Sequence, residues 1–267
     1  MDQRAVNQHA ADLAFAHDLA DAAAEVTLAQ FGDRLPVSLK DDATPVTQVD
    51  GAAERAIRDR IGARLPDDGV LGEEGGLGGG SNGRVWIVDP IDGTKLYAEG
   101  IPLWTTLIAL EVDDEVVLGV ADAPALGERY HAVRGGEAWR GTKRLCVSEV
   151  ECLSEAFVTH SGIEEWQQDG RDDDLMRIAR SARQTRGLSD AWGHLLVAQG
   201  SVEVLLEHEP CYPWDWAATR VIVEEAGGTV TTLAGGPPTA GADLLVSNGV
   251  VHQEVIDTLA RRRRRVS

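Results

Sequence analysis

Val85-Trp86-Ile87-Val88 contains no polar side chain and leads without a break into Asp89-Pro90-Ile91-Asp92-Gly93-Thr94. An apolar run of this length reads as a buried strand, and a buried strand needs a substantial core around it. The continuation is equally constraining: two acids three residues apart, with a proline between them, stand where a regular element ends. Backbone geometry at such a point aims side chains at a shared cleft rather than at solvent. The chain has 267 residues, 43% of them hydrophobic, which is ample for that core. It reads as a folded chain, because hydrophobicity at this level is too high for one kept open by charge repulsion.

Two helices are predicted ahead of this strand. From Ala5 to Phe31 the residues Val6, Leu13, Ala16, Ala20, Ala23 and Val26 recur at helical steps until Gly32. Thr47-Gln48-Val49-Asp50 forms a capping box, followed by Ile57, Ile61 and Leu65 on one face and a stop at Pro66. The glycine-rich residues 75–83 predict a mobile loop, either a surface connection or a lid. Thr105 to Val112 and Val116 to Asp122 read as a hairpin about the turn Asp113-Asp114-Glu115, with Arg129 to Val133 continuing the sheet.

Beyond a soft boundary near Leu145 to Glu155 the register changes. Strand 156–160, helices 172–183 and 190–199, strand 202–206, helix 215–226, strands 229–232 and 244–247, and a last helix from Val251 are expected. The domain reading is therefore 1–150, a helix pair plus antiparallel sheet with most of the candidate ligands, and 151–267, an α/β part carrying Asp215. The two are expected to behave as one cooperative unit.

Acidic residues number 44 against 25 basic ones, giving a formal charge of −19. Nucleic acid and anionic membranes are disfavoured as partners and cations favoured. The basic run Arg261 to Arg265 is read as a solvated helix end, where cations complement the dipole. Cys146, Cys152 and Cys211 are odd in number and lack C-x-x-C spacing, so neither a disulfide framework nor a thiolate zinc site is expected. With no signal-peptide pattern and no apolar stretch of the ~20 residues needed to span a bilayer, a cytoplasmic location is expected.

Glu73 and Glu74 follow Gly72 at the end of an apolar pair, Asp89 closes the strand, and Asp215 lies between Trp214 and Trp216. Each has an ordinary reading by itself: Glu73 as a loop acid, Asp89-Pro90 as a turn, Asp50 as the capping-box acid, Asp215 as a helix N-cap. Taken together, Glu73, Asp89, Asp92 and Asp215 suit hard cations, and Mg²⁺ takes such oxygen ligands alongside phosphate. Two such ions ~3.5–4 Å apart can activate a water and stabilise an in-line phosphoryl displacement. Gly93-Thr94, if it opens a helix, offers backbone N–H groups to the phosphate.

Gly72-Glu73-Glu74, Trp86-Ile87-Val88-Asp89-Pro90-Ile91-Asp92-Gly93-Thr94, Trp214-Asp215-Trp216-Ala217-Ala218 and Glu225-Ala226-Gly227-Gly228 resemble the signatures of the inositol monophosphatase superfamily. Thr44-Pro45-Val46-Thr47, Gly100 to Trp104, Ala123 to Gly127 and Thr185-Arg186-Gly187 are similar to its histidinol-phosphate phosphatase branch. The resemblance implies a layered α/β/α/β/α sandwich of the α+β type, commonly a homodimer, hydrolysing small phosphomonoesters with two or three Mg²⁺, for which Mn²⁺ can substitute. It implies metal binding by Glu73, Asp89, the carbonyl of Ile91, Asp92 and Asp215. Asp50 would help hold or polarise a third ion or its water, with Glu74 and Thr94 in the water-activating network, while Gly93 and Thr94 would meet the phosphate and Arg186, Asp190 and Glu209 the alcohol. Asp190 also has an ordinary reading, as the N-cap of helix 190–199.

Three departures touch the substrate more than the reaction: Leu96-Tyr97 where Asn-Phe is usual, Ser189-Asp190 where Gly-Asp is usual, and a Glu209-to-Trp214 segment one residue shorter than expected. Histidinol phosphate is the expected substrate, with an inositol phosphate, a sugar phosphate or a nucleoside monophosphate as alternatives. A non-catalytic metal- or ligand-binding protein is the alternative of another class. The acid spacing of three, where a phosphoenzyme-forming Asp-x-Asp motif has two, argues against a covalent intermediate. No G-x-x-x-x-G-K-[ST] sequence is present, so an NTPase P-loop has no support.

Overall fold

A computed structural model describes residues 9–32, 38–39, 45–46 and 48–261. In chain order the elements are α1 (Ala10–Gln30), β1 (Ser38–Leu39), β2 (Pro45–Val46), α2 (Gln48–Arg64), β3 (Gly69–Gly72), β4 (Gly76–Gly79), β5 (Arg84–Asp92), α3 (Thr94–Ala98), β6 (Thr105–Val112), β7 (Glu115–Ala123), β8 (Glu128–Val133), β9 (Ala138–Arg140) and β10 (Lys143–Arg144). Then come β11 (Phe157–His160), α4 (Ile163–Gln168), α5 (Asp172–Ser181), β12 (Gln184–Arg186), α6 (Asp190–Ala198), β13 (Val204–Cys211), α7 (Pro213–Glu225), β14 (Thr229–Thr231), β15 (Ala242–Ser247) and α8 (His252–Ala260).

The chain divides into two compact units, one of Met1–Arg144 with Pro213–Glu225 and one of Leu145–Tyr212 with Ala226–Ser267. In the first, eight strands run in the order β10-β9-β8-β7-β6-β5-β3-β4. Phe15, Leu19, Ile57 and Ile61 of the helix pair bury against Trp86, Val88, Ile108, Leu110, Leu118 and Val120 on one face. Side chains alternate along a strand, so Gly119 of β7 belongs to the other face. There α7 lies so close that a Cβ on Gly119 would stand 2.2 Å from the carbonyl oxygen of Ala218. Asp215 thus belongs with the residues the sequence reading places in 1–150, because its helix packs on β6 and β7 and not among the strands that precede and follow it.

The second unit is a five-stranded sheet ordered β12-β11-β13-β15-β14, with β11 parallel to both neighbours. Val158, Val204, Leu206 and Leu245 pack with Trp166, Leu175, Ile178 and Val255 of α4, α5 and α8 on one face. Leu205 points the other way, where a Cβ on Gly193 of α6 would meet it at 3.0 Å. Each unit is therefore a sheet between helices, and the fold is the layered α/β sandwich expected from the sequence.

Residues 75–83 depart from expectation. Four of them form β4, antiparallel to β3, with Gly69 opposite Gly79 and Gly72 opposite Gly76. Glycine permits the close approach just beyond this pairing, where a Cβ on Gly80 would meet Gly69 Cα at 2.9 Å. Helix ends differ too. Asp190 is the first residue of α6, with Ser189 at the cap, and Asp215 is the third residue of a helix that opens at Pro213, so neither acid is an N-cap. Thr47 of the capping box and Arg262 to Arg265 lie outside the described residues; α8 ends at Ala260 with Arg261 at its cap.

Candidate metal and phosphate site

The motif at the end of β5 owes its geometry to one extra residue. Asp89 pairs with Leu107 and Asp92 with Thr105, so three steps on β5 face two on β6. In a regular strand, residues three apart point to opposite faces; a bulge of one residue brings both acids to the same side. Pro90 sits in the bulge, where its missing N–H costs the ladder nothing. Asp89 Oδ1 accepts the N–H of Ile91 at 2.9 Å, Thr106 Oγ1 donates to the carbonyl of Pro90 at 2.8 Å, and Thr105 Oγ1 lies 3.4 Å from Asp92 Oδ2. Sequence reasoning misses Thr105 and Thr106, both fully buried. Their only signal is a pair of hydroxyls opening a strand that continues as the apolar run Leu107 to Leu110.

From α7, Asp215 joins these two acids. Asp89, Asp92 and Asp215 each bring a carboxylate oxygen within 4.8 Å of the others. Burial pushes the Asp89 carboxyl well above the usual carboxylate range, and the charges of Glu73, Asp92, Asp215 and Asp50 push it further. Glu73 and Asp50 are thereby part of the same electrostatic cluster. All donors here are hard oxygens, the chemistry that suits Mg²⁺ or Mn²⁺ and not a thiolate-seeking ion. A buried carboxylate among four others is costly without a cation, so the donor set fits a divalent ion.

The Ile91 side chain is buried, and its carbonyl accepts from Thr94 Oγ1 at 3.0 Å. The same hydroxyl is 3.4 Å from Asp50 Oδ1, and Asp50 is 1% exposed in the first turn of α2. Gly93 caps α3 in the left-handed region, φ +84, which an L side chain rarely adopts. The pair opens a helix as expected, and backbone N–H groups at Gly93 and Thr94 occupy positions with no intrahelical acceptor. Glu73 and Glu74 follow β3 and are half-buried. Beneath the bulge, Val49, Ile91, Tyr97 and Trp104 form an apolar cluster, and Tyr97 donates to the carbonyl of Thr27 at 2.8 Å. Tyr97, one of the departures from the family pattern, is therefore a core residue.

In the second unit Asp190 and Glu209 come together with Glu207, each offering a carboxylate oxygen within 4.8 Å of the others. Sequence reasoning misses Glu207, whose signal is its place two residues before Glu209 on one strand; it is 3% exposed and 3.0 Å from His194 Nε2. Asp190 has φ +56, an uncommon conformation for a residue with a side chain. Arg186 is exposed at the end of β12, its Nη1 donating to the carbonyl of Thr185 at 2.7 Å.

The inositol monophosphatase family model matches residues 9–266. The histidinol-phosphatase of Streptomyces coelicolor is 42% identical over 94% of this chain and 97% of its own. That of Mycobacterium tuberculosis is 39% identical over 93% and 97%. Among solved structures, the IMPase of Thermotoga maritima superposes with a TM-score of 0.84, at 32% identity, over 93% of this chain and 96% of that one.

Proposed function

The chain belongs to the inositol monophosphatase family and is a phosphoric monoester hydrolase; from that premise we propose that it converts histidinol phosphate and water to histidinol and phosphate, using Mg²⁺. The convergence of Asp89, Asp92 and Asp215 carries this reading. Glu73, Asp89, the Ile91 carbonyl, Asp92 and Asp215 would hold the cations. Divalent ions bound there supply positive charge to the phosphoryl oxygens and to the water that attacks phosphorus.

The chain's own groups do the rest. Gly93 and Thr94 present backbone N–H groups to the phosphate. Thr94 Oγ1, set between Ile91 O and Asp50 Oδ1, can pass the proton of the incoming water to Asp50. Glu74 is assigned to the same water. A new bond from the water oxygen to phosphorus replaces the ester bond, and the departing alkoxide takes up the proton that the water gave up, so that atoms and protons balance. No step needs a covalent enzyme intermediate.

Substrate choice is assigned to Arg186, Asp190 and Glu209. Histidinol phosphate carries an amine and an imidazole, and acids beside the alcohol favour such a cationic group. A hydrogen bond to an ionised partner contributes about 1.5–3 kcal/mol, enough for tenfold or greater discrimination over an uncharged alcohol. The relatives that carry the histidinol-phosphatase name support this choice. Turnover across a panel of phosphomonoesters tests it: histidinol phosphate is expected to have the highest kcat/KM, and Asp190→Asn to raise its KM far more than that of an aryl phosphate. Equal turnover of inositol phosphate would remove the assignment.

The same reading includes a homodimer and a cytoplasmic location. Three free cysteines support the latter, and no described helix is long and apolar enough to cross a membrane. Light scattering on the purified protein, with twice the chain mass expected, checks the former.

A further inference from the structure

Glu54 is an acid in the middle of α2 with 2% of its surface exposed, and the chemistry above does not use it. Its carboxylate reaches the loop between β3 and β4. Oε2 accepts the N–H of Glu74 at 2.8 Å, and Oε1 accepts the N–H of Gly75 at 2.9 Å and Arg58 Nε at 2.7 Å. Arg58 continues the link, donating from Nη1 to the carbonyl of Val70 at 3.2 Å and from Nη2 to that of Gly76 at 2.6 Å. The loop is shaped to admit this pair. A Cβ on Gly72 would stand 2.5 Å from the Glu54 carboxyl carbon, and one on Gly75 2.7 Å from Oε1.

Asp50, Glu54 and Arg58 are four residues apart, so they share one face of α2. Along that face Asp50 meets Thr94, Glu54 meets the loop and Arg58 meets the strands on either side of it. One helix thus sets both the Asp50 end of the acidic cluster and the backbone that carries Glu73 and Glu74. We propose that Glu54, braced by Arg58, is a positioning residue that holds the Gly72–Gly76 loop so that Glu73 and Glu74 are presented to the cation site. This rests on the metal-site reading above.

A purely structural role predicts a different outcome, and Asp68 supplies the control. It is also buried in this unit and accepts from Trp86 Nε1 at 2.9 Å, Asn82 Nδ2 at 2.8 Å and Arg84 Nε at 3.1 Å, without touching the loop. In Glu54→Gln the amide group turns one donor toward N–H groups that need an acceptor. Hydrogen exchange at the Glu74 and Gly75 amides is expected to be at least tenfold faster than in the wild type. Mn²⁺ affinity, read from the electron paramagnetic resonance of the free ion, is expected to be about tenfold weaker, ~1.4 kcal/mol. Turnover is expected to recover as Mn²⁺ is raised.

Arg58→Lys keeps the charge and loses the fork, so smaller changes in the same direction are expected; it carries the test if Glu54→Gln does not fold. Asp68→Asn should lower the melting temperature and leave both readouts unchanged. Wild-type exchange and Mn²⁺ affinity in Glu54→Gln would overturn the proposal, as would equal weakening in Asp68→Asn. A wild-type protein that binds no Mn²⁺ would overturn the metal reading and the proposal with it.

Discussion

At Asp89, burial and four neighbouring carboxylates push in the same direction, raising the pKa of the folded-state carboxyl above its ordinary value. Below the unfolded-state pKa of about 3.9 the group is protonated in both states and carries no penalty. As pH rises from there through the raised folded value, the native state alone holds the proton and stability is lost; above that value the loss is level. Asp89→Asn is therefore expected to melt higher than the wild type in EDTA at neutral pH, by a margin that shrinks on acidification. With Mg²⁺ the order should reverse, because ligand bound only to the native state adds stability that the variant cannot gain in full. Turnover of the variant should fall by orders of magnitude. Thermal melts at several pH values, with and without metal, check the first two expectations, and wild-type-like turnover would make the acid structural.

Among elements, α7 depends on a contact that only glycine permits. The atoms a Cβ on Gly119 would strike are the Ala218 carbonyl oxygen at 2.2 Å and its C and Cα at 2.8 Å, all main chain, so no rotamer change relieves the clash. Overpacking of this kind costs about 1–3 kcal/mol, which for a chain of this size is roughly 2–4 °C of melting temperature per kcal/mol. Gly119→Ala is expected to show that loss and to weaken Mn²⁺ binding as well, because the displaced helix carries Asp215. A stability loss with unchanged Mn²⁺ affinity would mean that the helix yields without moving its first turn. The β5 bulge is the complementary device: it needs no distant partner to put Asp89 and Asp92 on one side of the strand.

For the molecule as a whole, the chain passes between its two compact units at Arg144–Leu145, Tyr212–Pro213 and Glu225–Ala226. The helix that supplies Asp215 to the first unit is thus continuous at both ends with segments of the second. Unfolding the first unit therefore releases a helix whose two ends continue into segments of the second. We propose that the two melt together, in one calorimetric transition whose van't Hoff and calorimetric enthalpies agree. Two resolved transitions would show that the units unfold independently. Chelation is expected to lower the transition temperature and abolish turnover, and Mg²⁺ or Mn²⁺ to restore both; full turnover in EDTA would remove the metal reading.

The elements and the acid motifs are written locally. Apolar periodicity marks α1 and α2, the four-residue run marks β5, and Asp89-Pro90-Ile91-Asp92-Gly93-Thr94 carries within six residues the bulge, the left-handed glycine and the helix start that shape one side of the site. Such signals survive in a sequence because each depends on neighbours a few positions away. Contacts across the chain have no such signature. That Asp215 joins the first unit follows from the missing side chain of Gly119, 96 positions earlier. That residues 76–79 pair as a strand goes with the close approach of Gly80 to Gly69, two glycines eleven positions apart. Glu54 reaches a loop 20 residues on, and Asp190 of α6 meets Glu207 and Glu209 of β13, only because packing brings separate segments together. The sequence alone determined which residues have the chemistry to hold a cation and a phosphate; the tertiary structure decided which of them meet, because close packing and not local propensity sets the distance between segments far apart in the chain.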